Sequence, residues 1–150
     1  MSEDLRRYFR PVQQSNTLDK KSDLPFLALG QVQAGFATWA QDDLEKELSL
    51  DDFLIAHPAA TFLVKVAGES MLEAGILPGD VLVVDRSLTA RSGQIVIAVV
   101  DGDLTVKRYW QNERGQVELR AENRSFPRVI VPDGAEVIIW GVVVGVVRKF

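Results

Sequence analysis

Short segments rich in β-branched and aromatic residues follow one another from Thr61 to the C-terminus, with turn residues between them. Asp101-Gly102-Asp103, between two of these segments, is a strong hairpin signal. Short strands at this spacing predict a mainly β fold, a compact domain of the sandwich or barrel-like kind. The predicted strands are Thr61–Ala67, Val81–Asp85, Gln94–Val100, Leu104–Tyr109, Gln116–Ala121, Arg128–Val131 and Glu136–Val147.

The segments outside this regular pattern are informative too. Val142–Val147 is apolar on both faces of a strand, so we expect it to be either central core or a subunit interface. The stretch Arg10–Asp23 is polar with little periodicity, which is typical of an arm. A short helix is expected near Leu50–Ala56, because Ser49 can cap its start and Pro58 can end it.

The composition excludes several kinds of functional site. The 150-residue chain has no cysteine and a single histidine, His57, which excludes cysteine nucleophiles and histidine-rich or cysteine-rich metal sites. We expect no metal and no cofactor. The net charge of −4 argues against a dedicated nucleic-acid binder. The apolar runs are too short to span a membrane and the N-terminus lacks a signal peptide's apolar segment. A cytoplasmic protein is expected, because the absence of cysteine fits a reducing compartment.

Ser70 is the first candidate catalytic residue. A strand is expected to end near Gly68, and Ser70 then follows on a tight turn before a short helix, Ser70–Ala74. Such a turn presents a hydroxyl and free backbone N–H groups at one place, as a nucleophile and its oxyanion hole require. The alternative is that Ser70 only caps the helix.

A serine nucleophile needs a base, and the chain offers two candidates. His57 lies beside a proline at an expected helix end, which is typical of a surface or C-cap histidine. On its strand, Lys107 shares a face with Thr105, opposite the apolar side chains. If the apolar face is the core, Lys107 is a solvated lysine. If a loop covers the other face, desolvation lowers the pKa of Lys107 and Thr105 can orient its amine.

These segments together resemble the LexA/UmuD family of self-cleaving serine peptidases. Gly68-Glu69-Ser70-Met71 and the following Gly75–Asp80 are similar to the family's serine box. Asp101–Arg108 is similar to its lysine box, at the family's distance from the serine. Gln33-Ala34-Gly35-Phe36 resembles the self-cleavage site, which is cut before the glycine. The resemblance covers roughly residues 30–150 and includes Ala121-Glu122-Asn123 and Gly141–Val147.

The resemblance implies a Ser-Lys dyad. Lys107 would take the proton of Ser70, and the backbone N–H groups of Glu69 and Ser70 would form the oxyanion hole. A lysine with its ordinary pKa of about 10.4 is almost wholly protonated at neutral pH, so burial must lower that pKa. In this family, the arm that carries the cleavage site covers the catalytic face. Thr105 would orient the amine.

The resemblance also implies what is cut and for which purpose. Ser70 would attack the carbonyl of Ala34 and release a flexible arm, residues 1–34, from a β domain, residues 35–150. Since no helix-turn-helix precedes Gly35, we expect the branch of the family that is not a repressor and that acts in the SOS response. There the cleaved form is an accessory subunit of an error-prone, Y-family (UmuC-like) translesion polymerase. The implied partners are the RecA filament on single-stranded DNA, that polymerase, and a second copy of the chain in a homodimer.

Two other functions are open. A LexA-type transcriptional repressor is disfavoured by the missing helix-turn-helix and by the negative charge, so no sequence-specific DNA binding is expected. A non-catalytic β scaffold would require the serine box, the lysine box and the Ala-Gly site to occur together by coincidence.

Overall fold

The computed structural model describes residues 49–127, 129–131 and 137–150, and within these ranges strands predominate. The prediction of a mainly β fold is confirmed. The predicted arm and the cleavage site, Ala34 and Gly35, lie outside the described residues. The strands are β1 (Thr61–Lys65), β2 (Val81–Asp85), β3 (Ile95–Val100), β4 (Asp103–Gln111), β5 (Val117–Arg120), β6 (Val129–Ile130) and β7 (Val137–Val147).

Helical structure in the described ranges is short. Helix α1 (Leu50–Leu54) precedes the strands. Its start is as predicted, because the Ser49 side chain accepts the N–H of Asp52 at 3.5 Å. Two 3-10 helices, Pro58–Ala60 and Leu72–Ala74, flank β1. None of the described helices is long and apolar enough to cross a membrane.

The strands form one antiparallel sheet in the order β1-β2-β7-β3-β4-β5-β6. Strand β7 joins the two halves of the sheet, because its first part pairs with β3 and its second part with β2. Within the apolar run Val142–Val147, only Val142 pairs with both β2 and β3, and the part of the run after it lies beside β2 alone among the described strands. Val144 and Val146 on this run remain exposed.

Apolar side chains cover both faces of the sheet. Neighbouring residues of β3, Val96 and Ile97, belong to two different buried clusters, as expected for side chains that alternate across a strand. One cluster consists of Met71, Ile76, Leu82, Val84, Ile97, Val99 and Trp140. The other consists of Val96, Ala98, Tyr109, Leu119, Val131 and Val142.

A tight hairpin connects β3 to β4, as the sequence predicts. Asp101 and Gly102 both have positive φ, 50° and 88°, which suits the right-handed twist of the paired strands. The turn fixes the register, in which Val96 lies opposite Lys107. Because Val96 is fully buried, its partner Lys107 is held against a covered face of the sheet.

Candidate active site

The turn that carries Ser70 lies between β1 and the 3-10 helix Leu72–Ala74. Gly68 has a φ of +113°, which a residue with a side chain rarely adopts, so the chain can bend sharply before the serine. Met71, directly after the serine, is buried in the core and anchors the turn. Met71 also occupies the cap position of the 3-10 helix. The interpretation of Ser70 as a helix cap is therefore wrong.

Lys107 is a buried lysine. It lies on β4 and its relative exposure is 9%. Its Nζ lies 3.0 Å from Ser70 Oγ, 2.8 Å from Thr105 Oγ1 and 3.0 Å from the carbonyl oxygen of Val106. The solvated lysine is thus excluded, and the structure brings together the three side chains that the sequence singled out.

The surroundings of the amine favour its neutral form and direct its lone pair. Burial lowers the pKa of Lys107 below the ordinary lysine value. A neutral amine keeps two N–H groups, and the Val106 carbonyl can only accept a hydrogen bond. When Thr105 Oγ1 accepts the second N–H, the lone pair of Nζ faces Ser70 Oγ. In this arrangement the lysine can accept the hydroxyl proton of the serine.

Backbone N–H groups are available on the same turn. Within the described part of the chain, the N–H groups of Glu69 and Ser70 donate to no backbone carbonyl. Both N–H groups lie in the short irregular segment that also carries the Ser70 hydroxyl. Free N–H donors beside a nucleophile are what an oxyanion hole requires.

The segment Glu122–Arg124 supports this turn, and the predictions of site residues did not include it. The side-chain amide of Asn123 donates to the carbonyl of Glu69 at 2.7 Å. The N–H of Glu73 donates to the carbonyl of Glu122 at 2.8 Å. Arg108, next to the candidate base on β4, forms an ion pair with the Glu122 side chain. In the sequence, only the similarity of Ala121-Glu122-Asn123 to the family pointed to this segment.

His57 forms a separate polar cluster with no contact to Ser70 among the described residues. Its Nδ1 lies 2.7 Å from Oδ2 of the buried Asp85. Burial acts to raise the pKa of Asp85, but hydrogen bonds from Ser87 and His57 outweigh it and lower that pKa. The His57 side chain is 53% exposed, as expected of a surface histidine. It does not cap α1, whose C-cap is Ile55, so that part of the prediction is wrong.

Comparisons with known proteins match most of the chain. The profile of the family described as Peptidase S24-like matches residues 25–144, a span that includes Ala34, Gly35, Ser70 and Lys107. Protein MucA of Salmonella typhimurium is 41% identical over 131 residues, which cover 87% of this chain and 88% of MucA. Protein ImpA of Shigella flexneri is 40% identical over 142 residues, 95% of this chain and 94% of ImpA. The LexA repressor of Thiobacillus denitrificans is 42% identical over 122 residues, 81% of this chain and 60% of the repressor.

Proposed function

The chain belongs to the Peptidase S24-like family of self-cleaving serine peptidases, as its resemblance to the LexA/UmuD family implied, and from this premise we propose that it cuts its own backbone between Ala34 and Gly35. Ser70 is the nucleophile and Lys107 is the base. The observation that carries the proposal is the 3.0 Å separation of Lys107 Nζ and Ser70 Oγ in a buried setting. The family profile supports the cleavage site, because its match includes both residues of the scissile bond.

The reaction follows from the roles of these groups. Neutral Lys107 takes the proton of Ser70, and Oγ attacks the carbonyl carbon of Ala34. The N–H groups of Glu69 and Ser70 bind the oxyanion of the tetrahedral intermediate. The lysine ammonium then gives its proton to the nitrogen of Gly35, which leaves as a new N-terminus. Water, deprotonated by the lysine, hydrolyses the remaining ester and frees Ser70.

An intramolecular reaction of this kind must be restrained. A cleavage site on the same chain has a large effective concentration at the nucleophile. We take the cleavable pose to be a minor population, which a partner can increase only by binding it more tightly than the others. In the proposed role this partner is the RecA filament on single-stranded DNA. The net charge of −4 suits contact with a nucleoprotein better than contact with bare DNA.

The finer biological role is part of the same proposal. Cleavage removes residues 1–34, and the remaining 35–150 acts in the SOS response as a homodimeric accessory subunit of a Y-family translesion polymerase. The support is the likeness of the serine box, lysine box and cleavage site to the LexA/UmuD family. The matches to MucA and ImpA, which extend over nearly the whole of both proteins, support a common organisation.

The 42% identity to a LexA repressor favours a second candidate, a transcriptional repressor of the same family. A gel-shift assay with duplex DNA separates the two. We expect no sequence-specific shift, and a specific shift at nanomolar protein would favour the repressor.

The decisive experiment is an intact-mass measurement on the full chain after mild alkaline incubation, with no partner added. We expect two products, residues 1–34 and 35–150, because alkaline pH deprotonates Lys107. Ser70→Ala should stay intact, and Gly35→Arg should too, because its side chain would clash at the nucleophile. A different cut position, or a cut in the Ser70→Ala chain, would contradict the proposed site. If the activated RecA filament does not accelerate cleavage near neutral pH, the proposed stimulation is wrong.

A further inference from the structure

Asn123 holds the peptide unit that joins Glu69 to Ser70. Its Nδ2 donates to the carbonyl oxygen of Glu69 at 2.7 Å, across 54 positions of sequence. The same carbonyl accepts the N–H of Leu72 at 3.3 Å, so two donors fix its direction. Asn123 is only partly exposed, and its Oδ1 accepts the N–H of Ser125 at 3.0 Å, which fixes its own orientation.

Fixing this carbonyl also fixes the N–H on the other side of the same peptide bond. The described chain has no cis peptide bond, so the C=O of Glu69 and the N–H of Ser70 point in opposite directions from one rigid plane. That N–H is one of the two proposed oxyanion donors, and it has no backbone acceptor among the described residues. Rotation of the plane would turn the donor away from the developing charge.

The segment that holds Asn123 contacts β4, the strand that carries Lys107. Glu122 forms an ion pair with Arg108, the residue after Lys107, and Arg108 also donates to the carbonyl of Gly93 at 2.6 Å. The backbone carbonyl of Glu122 accepts the N–H of Glu73, just beyond the serine turn. The segment Glu122–Arg124 therefore connects the serine turn to strand β4.

From this geometry we propose that Asn123 is a positioning residue of the oxyanion hole, acting through the Glu69–Ser70 peptide. The inference rests on the proposed self-cleavage. It assigns to Asn123 no contact with the reacting atoms and no part in proton transfer, because the three hydrogen bonds of Lys107 Nζ involve other residues.

The chain offers a closely matched control. Asn112 lies in the exposed turn between β4 and β5, and its Oδ1 accepts the N–H of Arg114 at 3.0 Å, two residues on, as Asn123 does with Ser125. Its Nδ2, in contrast, donates to the Gln116 side chain, away from the site. Asn112→Ala thus removes a similar turn bond without touching the serine turn.

The experiment measures the self-cleavage rate of the full chain at several pH values across the titration of Lys107. We expect Asn123→Ala to lower the rate at every pH by about 10- to 100-fold, somewhat less than the complete loss of an oxyanion donor costs. The pH midpoint should stay where it is in the wild type, since the contacts of the base are intact. Asn112→Ala should cleave like the wild type. Asn123→Asp, which keeps the acceptor for Ser125 but loses the donor to Glu69, should not restore cleavage.

The outcomes separate this inference from the proposed function. Wild-type cleavage that Ser70→Ala abolishes, together with normal cleavage by Asn123→Ala, overturns the inference alone. So does rescue by Asn123→Asp, because the turn bond would then be what matters, or a shifted pH midpoint in Asn123→Ala, because the effect would then act on the base. A melting temperature of Asn123→Ala far below that of Asn112→Ala also overturns it in favour of a folding role. If the wild-type chain does not cleave, the proposed function and this inference fail together.

Discussion

In the proposed mechanism, the charge of the Lys107 amine decides whether Ser70 can react. Burial lowers the pKa of Lys107, so the amine is protonated below that pKa and becomes a base as the pH rises through it. We therefore expect the self-cleavage rate to rise with pH. Lys107→Ala should abolish cleavage, and Lys107→Arg should as well, because a guanidinium stays protonated. Intact-mass time courses at several pH values check both.

His57→Ala is the control for this assignment. The imidazole contacts Asp85 on β2 and not the serine, so the variant should cleave at the wild-type rate. Cleavage that is lost in His57→Ala but kept in Lys107→Ala would contradict the Ser-Lys assignment, and His57 would then be the base.

The hydroxyl of Thr105 is expected to orient the amine of Lys107. This hydroxyl is one of two acceptors that leave the lone pair of Lys107 facing Ser70. Thr105→Val keeps the size of the side chain but removes the acceptor, so we expect about tenfold slower cleavage, within the range typical of proton-transfer contributions. Thr105→Ser keeps the hydroxyl and should retain most of the rate. Equal rates for the two variants would show that the hydroxyl does not orient the amine.

Sequence alone predicted which side chains the structure brings together, but not their setting. Ser70, Lys107 and Thr105 follow from the turn, the strand alternation and the resemblance. Alternation along β4 could not show whether the lysine face is covered, because burial there depends on the distant turn that carries Ser70. Asn123 was missed for the same reason, since its bond to Glu69 joins two loops far apart in sequence.

At the scale of elements, Gly141 allows β7 to pass close to β2. A Cβ built at this position would lie 2.6 Å from Val84 Cγ1 and 3.2 Å from the backbone oxygen of Asp85. Gly141→Ala would therefore overpack the place where β7 changes partners. We expect a loss of about 1–3 kcal/mol in the free energy of unfolding, measured by urea denaturation. Ile138→Val, at an exposed position of the same strand, should cost much less, and equal losses would contradict the close approach.

Local patterns predicted where the strands lie but not how they pair. Thr61–Ala67 was predicted as a strand and β1 ends at Lys65, while the predicted helix Ser70–Ala74 is a 3-10 helix over Leu72–Ala74. The insertion of β7 between β2 and β3 was not predictable, because it depends on contacts between segments distant in sequence. Such an interior position explains the apolar character of Val142, which is buried and paired on both sides, but not that of Val146 and Val147, which pair with β2 only and stay exposed.

At the scale of the whole molecule, an ion pair ties the end of the chain to the loop that leads from the serine turn to β2. Arg148 contacts both carboxylate oxygens of the buried Asp80, at 2.6 and 2.7 Å, and also donates to the carbonyl of Gly75 at 2.8 Å. The hydrogen bond from Arg148, helped by the N–H of Leu77, lowers the pKa of Asp80 from 3.8 to about 2.

This pair predicts a specific acid sensitivity. A carboxyl group whose pKa is lowered on folding stabilises the protein above its unfolded pKa, and this contribution is lost as the pH falls through the folded value. The melting temperature should thus fall between about pH 4 and pH 2, partly because of Asp80. Asp80→Asn and Arg148→Gln should each flatten this part of the curve, although Asp85 and Glu122 add to it. Curves parallel to the wild type in both variants would contradict the role of the pair.

The second part of β7 carries exposed apolar side chains that can form a dimer interface. Beyond Val142, β7 pairs with β2 but not with β3, and a second copy can cover the exposed face of this part of the strand. Val144, which is 44% exposed, and Val146 offer apolar surface there. We predict a homodimer through this face in sedimentation at micromolar concentration.

Val144→Asp should convert the dimer to a monomer without unfolding the chain, because an exposed position accepts a charge. Leu88→Asp, at an exposed apolar position after β2, should stay dimeric. A monomeric wild type, or a dimeric Val144→Asp chain, would contradict the predicted interface, because the charge would lie at its centre.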